Sequence, residues 1–230
     1  MKQFLTPLLC RLYGLLFGVL VIFGGIELWR RTGWHKQQLY RQLVEGSRNQ
    51  KFSAAGELVQ LRDQSHLLQA LKSESQAVRS VAVQALWNLW YHEAGPEAFA
   101  VTQVVLQATE ETEYQKALRI LEPLLKKHPG FAEGWNRRAT IYWQMGRYRQ
   151  AIADCRRVTV LNPEHFGAWE GMALCQVALG EIEDACVSLR RALRIFPQDE
   201  NALFLLHRCQ DLLRQKAPPP GRHYEMALLD

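Results

Sequence analysis

The sequence is poor in the residues from which catalytic and metal centres are built. It holds no GxSxG, no P-loop, no HExxH and no GxGxxG, and its seven histidines (His35, His66, His92, His128, His165, His207 and His223) include no pair four residues apart. Five cysteines at irregular spacings are an odd number, without a CxxC or a Cys/His cluster, which argues against a disulfide framework and a zinc finger. Nine prolines and 15 glycines in 230 residues exclude a collagen-like chain, and 48% hydrophobic residues exclude a disordered one. The expectation is a protein with no catalytic residues, no metal and no cofactor.

What is present begins with an uneven charge. Residues 1–64 hold 9 Lys/Arg against 4 Asp/Glu, whereas residues 65–230 hold 19 of each, so the net +5 lies entirely in the first segment. That segment also carries fifteen consecutive uncharged residues, Leu12 to Ile26. Extended from Phe4 to Trp29, a helix would span about 39 Å at ~1.5 Å per residue, enough to cross a bilayer with tilt, while Arg11 snorkels toward one face. Trp29 and Trp34 then fall where an interfacial aromatic belt belongs. No A-x-A-like cleavage site follows, so residues 1–29 read as a retained single-pass membrane anchor. Arg30, Arg31, Lys36 and Arg41 outnumber Lys2 and Arg11 on the other flank, which orients the C-terminal bulk to the cytoplasm.

Residues 30–64 read as a basic helical neck leaving the membrane, with sparse apolar positions (Leu39, Leu43, Leu58, Leu61) and a break at Gly46, Ser47 and Asn49. Residues 65–97 read as a helix pair in which QAVRSVAVQALWNLW resembles the second helix of a HEAT-type repeat, closed by Gly95-Pro96.

From residue 98 a period of 34 appears. Trp135 and Trp169, Gly146 and Gly180, Ala151 and Ala185, and Pro163 and Pro197 are each 34 apart, and one further step back reaches Tyr114, Ala117, Leu121 and Pro129. Each residue type answers a steric demand: glycine ends the first helix of a unit, alanine permits close helix approach, and proline stops the second helix. This pattern is that of tetratricopeptide repeats, two antiparallel helices per unit, and gives three repeats over residues 98–199. Repeat one (98–131) is degenerate, with Val101 and Thr112 at the Trp and Gly positions. Residues 200–215 form a capping helix with Leu203, Leu206 and Leu212 on its apolar face, and 216–230 a Pro-rich flexible tail. The fold class is all-α: a transmembrane helix followed by a helical-hairpin solenoid.

FAEGWNRRATIYWQMGRYRQAIAD (131–154) and LNPEHFGAWEGMALCQVALG (161–180) resemble a group of bacterial and chloroplast tetratricopeptide proteins sharing an FAEGWN(K/R)RAT…PxHFGA pattern. The resemblance covers residues 66–200 and implies a helical repeat adaptor without a reaction. Ala168-Trp169-Glu170 and Arg138 depart from that pattern.

In this architecture the first helices line an inner groove, and repeat positions 2, 5, 9 and 12 assign to it Thr102, Leu106, Thr109, Glu133, Asn136, Thr140, Trp143, Glu170, Leu174 and Val177. A protein or peptide ligand is the expected occupant, with Trp143 as its anchor. Chaperone-binding relatives use Lys and Asn where this chain has Thr102, Leu106 and Asn136, which argues against a carboxylate clamp. Nine arginines (137, 138, 147, 149, 156, 157, 190, 191 and 194) sit among acidic residues in a neutral segment, so a salt-bridged face is expected and no nucleic-acid partner. The resulting expectation is a membrane-anchored adaptor assembling or maintaining a membrane-associated complex. The alternatives are a thiol-based redox regulator and recruitment to membrane surfaces through the basic neck.

Overall fold

The computed structural model describes residues 24, 25, 28, 29 and 32–216. The anchor expected over residues 1–29 therefore lies outside the described residues except at four positions, as does the tail beyond Lys216. Among the described residues there are eleven helices and no strand, and no helix is long and apolar enough to cross a membrane. The chain divides into two compact units, residues 1–89 and 90–230.

In the first unit, α1 (Gly33–Glu45) and α2 (Arg48–Gln60) pack against each other, and α3 (Gln64–Ala70) packs against both. Local chemistry sets these boundaries. Thr32 caps α1 by accepting the His35 N–H, Ser47 and Gln50 form a capping box at the start of α2, and Asp63 caps α3 by accepting the His66 N–H. The Lys51 ammonium bonds the carbonyls of Leu43 and Val44, which closes the C-terminal end of α1. The segment expected to be a helical neck broken near Gly46 is a pair of helices packed on each other, with the break at Gly46 and Ser47. Leu39, Leu43, Ala54, Ala55 and Leu58 are buried, whereas Trp34 and Phe52 are exposed, and Asn49, expected in the break, lies in the first turn of α2. The helix α4 (Gln76–Tyr91) follows and ends in the second unit with Trp90 and Tyr91.

The second unit continues with three helix pairs: α5 (Pro96–Glu110) and α6 (Tyr114–Lys127), α7 (Ala132–Gln144) and α8 (Tyr148–Leu161), and α9 (Phe166–Ala178) and α10 (Ile182–Ile195), followed by α11 (Glu200–Lys216). The turns inside the pairs share one backbone conformation. Gly146 (φ 70°), Gly180 (φ 76°) and, in the degenerate repeat, Thr112 (φ 60°) all occupy the left-handed region. Glycine enters that region freely, whereas threonine does so at a cost of about 1–2 kcal/mol. Ala117, Ala151 and Ala185, at equivalent positions of the second helices, have no exposed surface.

The joints between repeats are also replicated. The Trp135 indole N–H donates to the Pro129 carbonyl and the Trp169 indole N–H to the Pro163 carbonyl, each at 3.0 Å. Over the same indoles lie the guanidinium groups of Arg157 and Arg191, at 5.9 and 6.0 Å from the ring centroids. The helix α11 begins one full repeat period after α9, and Asp199 caps it by accepting the N–H groups of Asn201 and Ala202. It packs through Ala202, Leu205, Leu206, Cys209 and Leu213 onto Ala173, Ile182, Ala185 and Leu189. Of the apolar face expected for this helix, Leu206 is in the contact, whereas Leu212 is exposed.

Candidate functional site

Successive first helices are neighbours, α5 beside α7 and α7 beside α9, so their outward positions form one surface. Three of the ten residues assigned to that surface are buried. Thr102 is 0% exposed, and its hydroxyl donates back to the Ala98 carbonyl at 2.8 Å. Glu133 is also 0% exposed, and Asn136 is buried with its amide donating to Glu133 at 3.1 Å. These three act inside the fold and are removed from the groove. Thr109 and Thr140 are half-buried, with hydroxyls bonded to the Val105 and Asn136 carbonyls, and Leu106 is half-buried. Val177 is half-buried against the core that α9 shares with α10.

The residues left facing solvent are apolar. Trp143 is 42% exposed and Leu174 41%. A third is Phe204, at 64%, which lies one repeat period after Glu170 and so occupies the groove position of a fourth first helix. Reading residues 200–215 only as a cap hides it; extending the repeat period by one unit finds it. The Arg208 guanidinium lies 5.8 Å from the Phe204 ring centroid.

One turn before Leu174 on α9, at the repeat position that Phe204 takes on α11, stands Glu170, half-buried and bonded to Asp199. Burial pushes its carboxyl up to about 8, and the Asp199 charge adds to the shift, so at neutral pH Glu170 is mainly a protonated donor toward Asp199. This part of the inner face is consequently less negative than its sequence suggests.

Beneath the surface, Glu133 ties the repeats together. Its carboxylate meets Arg137 at 2.5 Å and His165 Nε2 at 3.0 Å, in addition to Asn136, and it accepts a bond from the Tyr91 hydroxyl. Burial alone would raise its pKa. The Arg137 charge and the bonds from His165 and Asn136 outweigh burial and hold it below the ordinary value of 4.5. The His165 Nδ1 accepts the Ala168 N–H at the start of α9, and its ring stacks on Trp90 at 4.3 Å. The Glu of FAEGWN and the His of PxHFGA are thus a buried pair joining consecutive repeats. The intervening glycine has a packing reason too, since a Cβ on Gly134 would stand 2.6 Å from Phe131 and 2.9 Å from Leu125. Arg138 forms a bidentate pair with Asp154, at 2.7 and 2.8 Å, and covers the Trp135 ring.

The four described thiols are packing groups. Cys155, Cys175, Cys186 and Cys209 are free and buried; burial raises the Cys155 thiol and pushes Cys175 up to about 11. A reactive thiol needs a shift in the opposite direction. Among the described residues no group of His, Cys, Asp and Glu is placed to hold a metal ion.

Paired helices, left-handed turns that recur once per repeat and indole-to-proline bonds at the joints define a helical-hairpin repeat protein. The profile of the tetratricopeptide repeat matches residues 132–165 and again residues 168–199. A TPR repeat-containing protein of Rhizobium etli is 31% identical over 137 residues, which are 59% of this chain and 67% of that protein. The chain belongs to the tetratricopeptide repeat proteins. Serine/threonine-protein phosphatase 5 of Mus musculus is 23% identical over 105 residues, 46% of this chain and 21% of the phosphatase. Among solved structures, the TPR domain of Sgt2 from Aspergillus fumigatus superposes with a TM-score of 0.51 at 20% identity, covering 57% of this chain and 91% of that domain.

Proposed function

We propose that the protein is a membrane-anchored adaptor whose repeats hold a segment of a partner protein near the bilayer. The observation that carries the reading is the row Trp143, Leu174 and Phe204. These are large apolar side chains, each more than two-fifths exposed, at groove positions of three successive first helices. Exposed apolar side chains on the outward sides of successive first helices form a docking surface rather than scattered surface residues. A chaperone-type carboxylate clamp fits poorly, because Thr102 and Asn136, two of its positions, are buried and already bonded.

The membrane part of the proposal rests on the uncharged run Leu12–Ile26 and on the exposed side chains that follow it. Leu28, Trp29 and Trp34 are 72%, 47% and 61% exposed, with the two indoles 5.9 Å apart. Aromatic rings so placed suit a bilayer interface. The excess of basic residues after the run supports a cytoplasmic location for the repeats.

The test is co-purification in mild detergent of partners of the natural chain, of Trp143→Ala and of Phe204→Ala, with alkaline extraction of membranes alongside. The expected result is retention of the chain in the membrane pellet and loss of one shared partner from both variants, each by tenfold or more, without loss of helicity. Extraction into the alkaline supernatant would refute the anchor. Undiminished capture by both variants would refute the groove.

A further inference from the structure

The outward side of α10 carries a second surface. Val187, Arg190, Arg191 and Arg194 follow one another at three, one and three residues, which puts them on one side of the helix. With Leu193 they line an open depression of about 570 Å³. Arg191 is engaged over Trp169, whereas Arg190 and Arg194 are exposed and take part in no ion pair among the described residues. This departs from the salt-bridged face expected from the sequence. Of the nine arginines considered there, only Arg137, Arg138 and Arg149 meet a carboxylate among the described residues. The apolar neighbour is equally unsatisfied: Val187 is 54% exposed, and on the preceding repeat Val160, at 75%, stands beside exposed Arg156.

We infer that this face of α10 binds an acidic amphipathic helix of a partner protein, with two carboxylates one turn apart flanking an apolar side chain. Arg190 and Arg194 are separated by about 6 Å along the helix axis, the spacing of residues four apart on a second helix. Guanidinium groups match carboxylates bidentately, and the apolar side chain meets Val187 and Leu193 in the lining of the depression. A bilayer suits the surface less well. It is hollow where a membrane contact would protrude, and its lining holds no aromatic residue and no lysine. The site lies on a second helix, apart from the groove of the first helices, and stands or falls independently of it.

The test measures fluorescence anisotropy of a labelled helical peptide bearing two glutamates four residues apart around a leucine. Its glutamine counterpart is the control, and the partner is the full chain in nonionic detergent. The expected result is salt-sensitive binding of the acidic peptide, weakened at least tenfold by Arg190→Gln combined with Arg194→Gln and unchanged by Trp143→Ala. The reversed pair, Arg190→Glu with Arg194→Glu, should instead bind a peptide carrying lysines at the same two places. Equal affinity for the glutamine pair of substitutions, or for the glutamine peptide, overturns the inference. So does arginine-dependent binding of phosphatidylglycerol-doped micelles with no peptide binding, which would make the face a lipid contact. A melting temperature lowered by more than a few degrees in the glutamine variant also overturns it, by showing these side chains to be packed.

Discussion

Replacing Glu133 by alanine tests the buried ionic cluster most directly. The carboxylate has no exposed surface and serves four partners at once: Arg137, His165, Asn136 and Tyr91. Its removal strands a guanidinium charge and three further donors where water has little access. Breaking a buried ion pair from one side costs about 3–5 kcal/mol, a large part of the ~5–15 kcal/mol that holds an ordinary domain folded. At roughly 2–4 °C per kcal/mol, the melting temperature should fall by about 10 °C. Glu133→Gln keeps an acceptor and loses only the charge, so it should cost less, about 1–3 kcal/mol. Urea unfolding followed by far-UV circular dichroism at pH 7 measures both. A pH series adds an independent check. Because the folded carboxyl titrates below 4.5, its stabilisation is complete above that value and is lost as the pH falls through the lower folded pKa. The natural chain should therefore lose stability on acidification faster than Glu133→Gln. A penalty under ~1 kcal/mol for the alanine variant, or parallel acid profiles, would refute the account.

Thr112→Gly should raise stability by about 0.5–1 kcal/mol, because it relieves a left-handed threonine where the other repeats carry glycine; calorimetry reads the gain. Gly134→Ala should cost roughly 1–3 kcal/mol in urea, since Phe131 and Leu125, both buried, must move away from the new methyl group. Glu170→Gln should raise the melting temperature at pH 8 and leave it unchanged at pH 4. The natural carboxyl, held at about 8 against an ordinary 4.5, withdraws stability as the pH rises between those values. Alkylation of Cys155, Cys175, Cys186 and Cys209 under native conditions should be slow and should accelerate together on unfolding; rapid labelling of any of them at neutral pH would restore the redox reading.

The repeats were legible because their steric demands recur. A left-handed turn, a close helix contact and a helix stop return once in every repeat, and Gly, Ala and Pro answer them wherever they fall. The groove was legible only in part, because a repeat position tells which way a side chain leaves the helix and not what it meets. Glu133 and Asn136 leave toward the inner face but are covered and bonded, and the partner of Glu133, His165, lies far along the chain with no local signal to link them. Phe204 was missed for a different reason: the helix around it lacks the Trp and Gly marks of a repeat, although the register continues through it. The break at Gly46-Ser47 was legible, because these residues end one helix and cap the next; the packing of α1 on α2 was not, since sparse leucines do not show what they meet. That Arg190 and Arg194 of α10 meet no carboxylate among the described residues could not be read from composition, since balanced charge totals do not pair particular side chains.

The indole-to-proline bonds imply an order of mechanical strength along the repeats. At the joints before α7 and α9, a tryptophan of the incoming helix is fastened to the loop it has just left, and an arginine lies over its ring. At the joint before α11 the equivalent position is Leu203, which has no side-chain N–H to give to Pro197, so the chain is held there by Asp199 at the helix start and by apolar contact with α9 and α10, without an indole fastening. Under a pull applied beyond Lys216, α11 should peel away first, as one short low-force step, and the pairs behind it should then resist as a larger block. In hydrogen exchange without load the same hierarchy should appear as earlier opening of α11 than of α9. Phe204 is carried on that weakest helix, so a partner seated across Trp143, Leu174 and Phe204 would act as a clasp, tightening the end of the array that is otherwise the first to open.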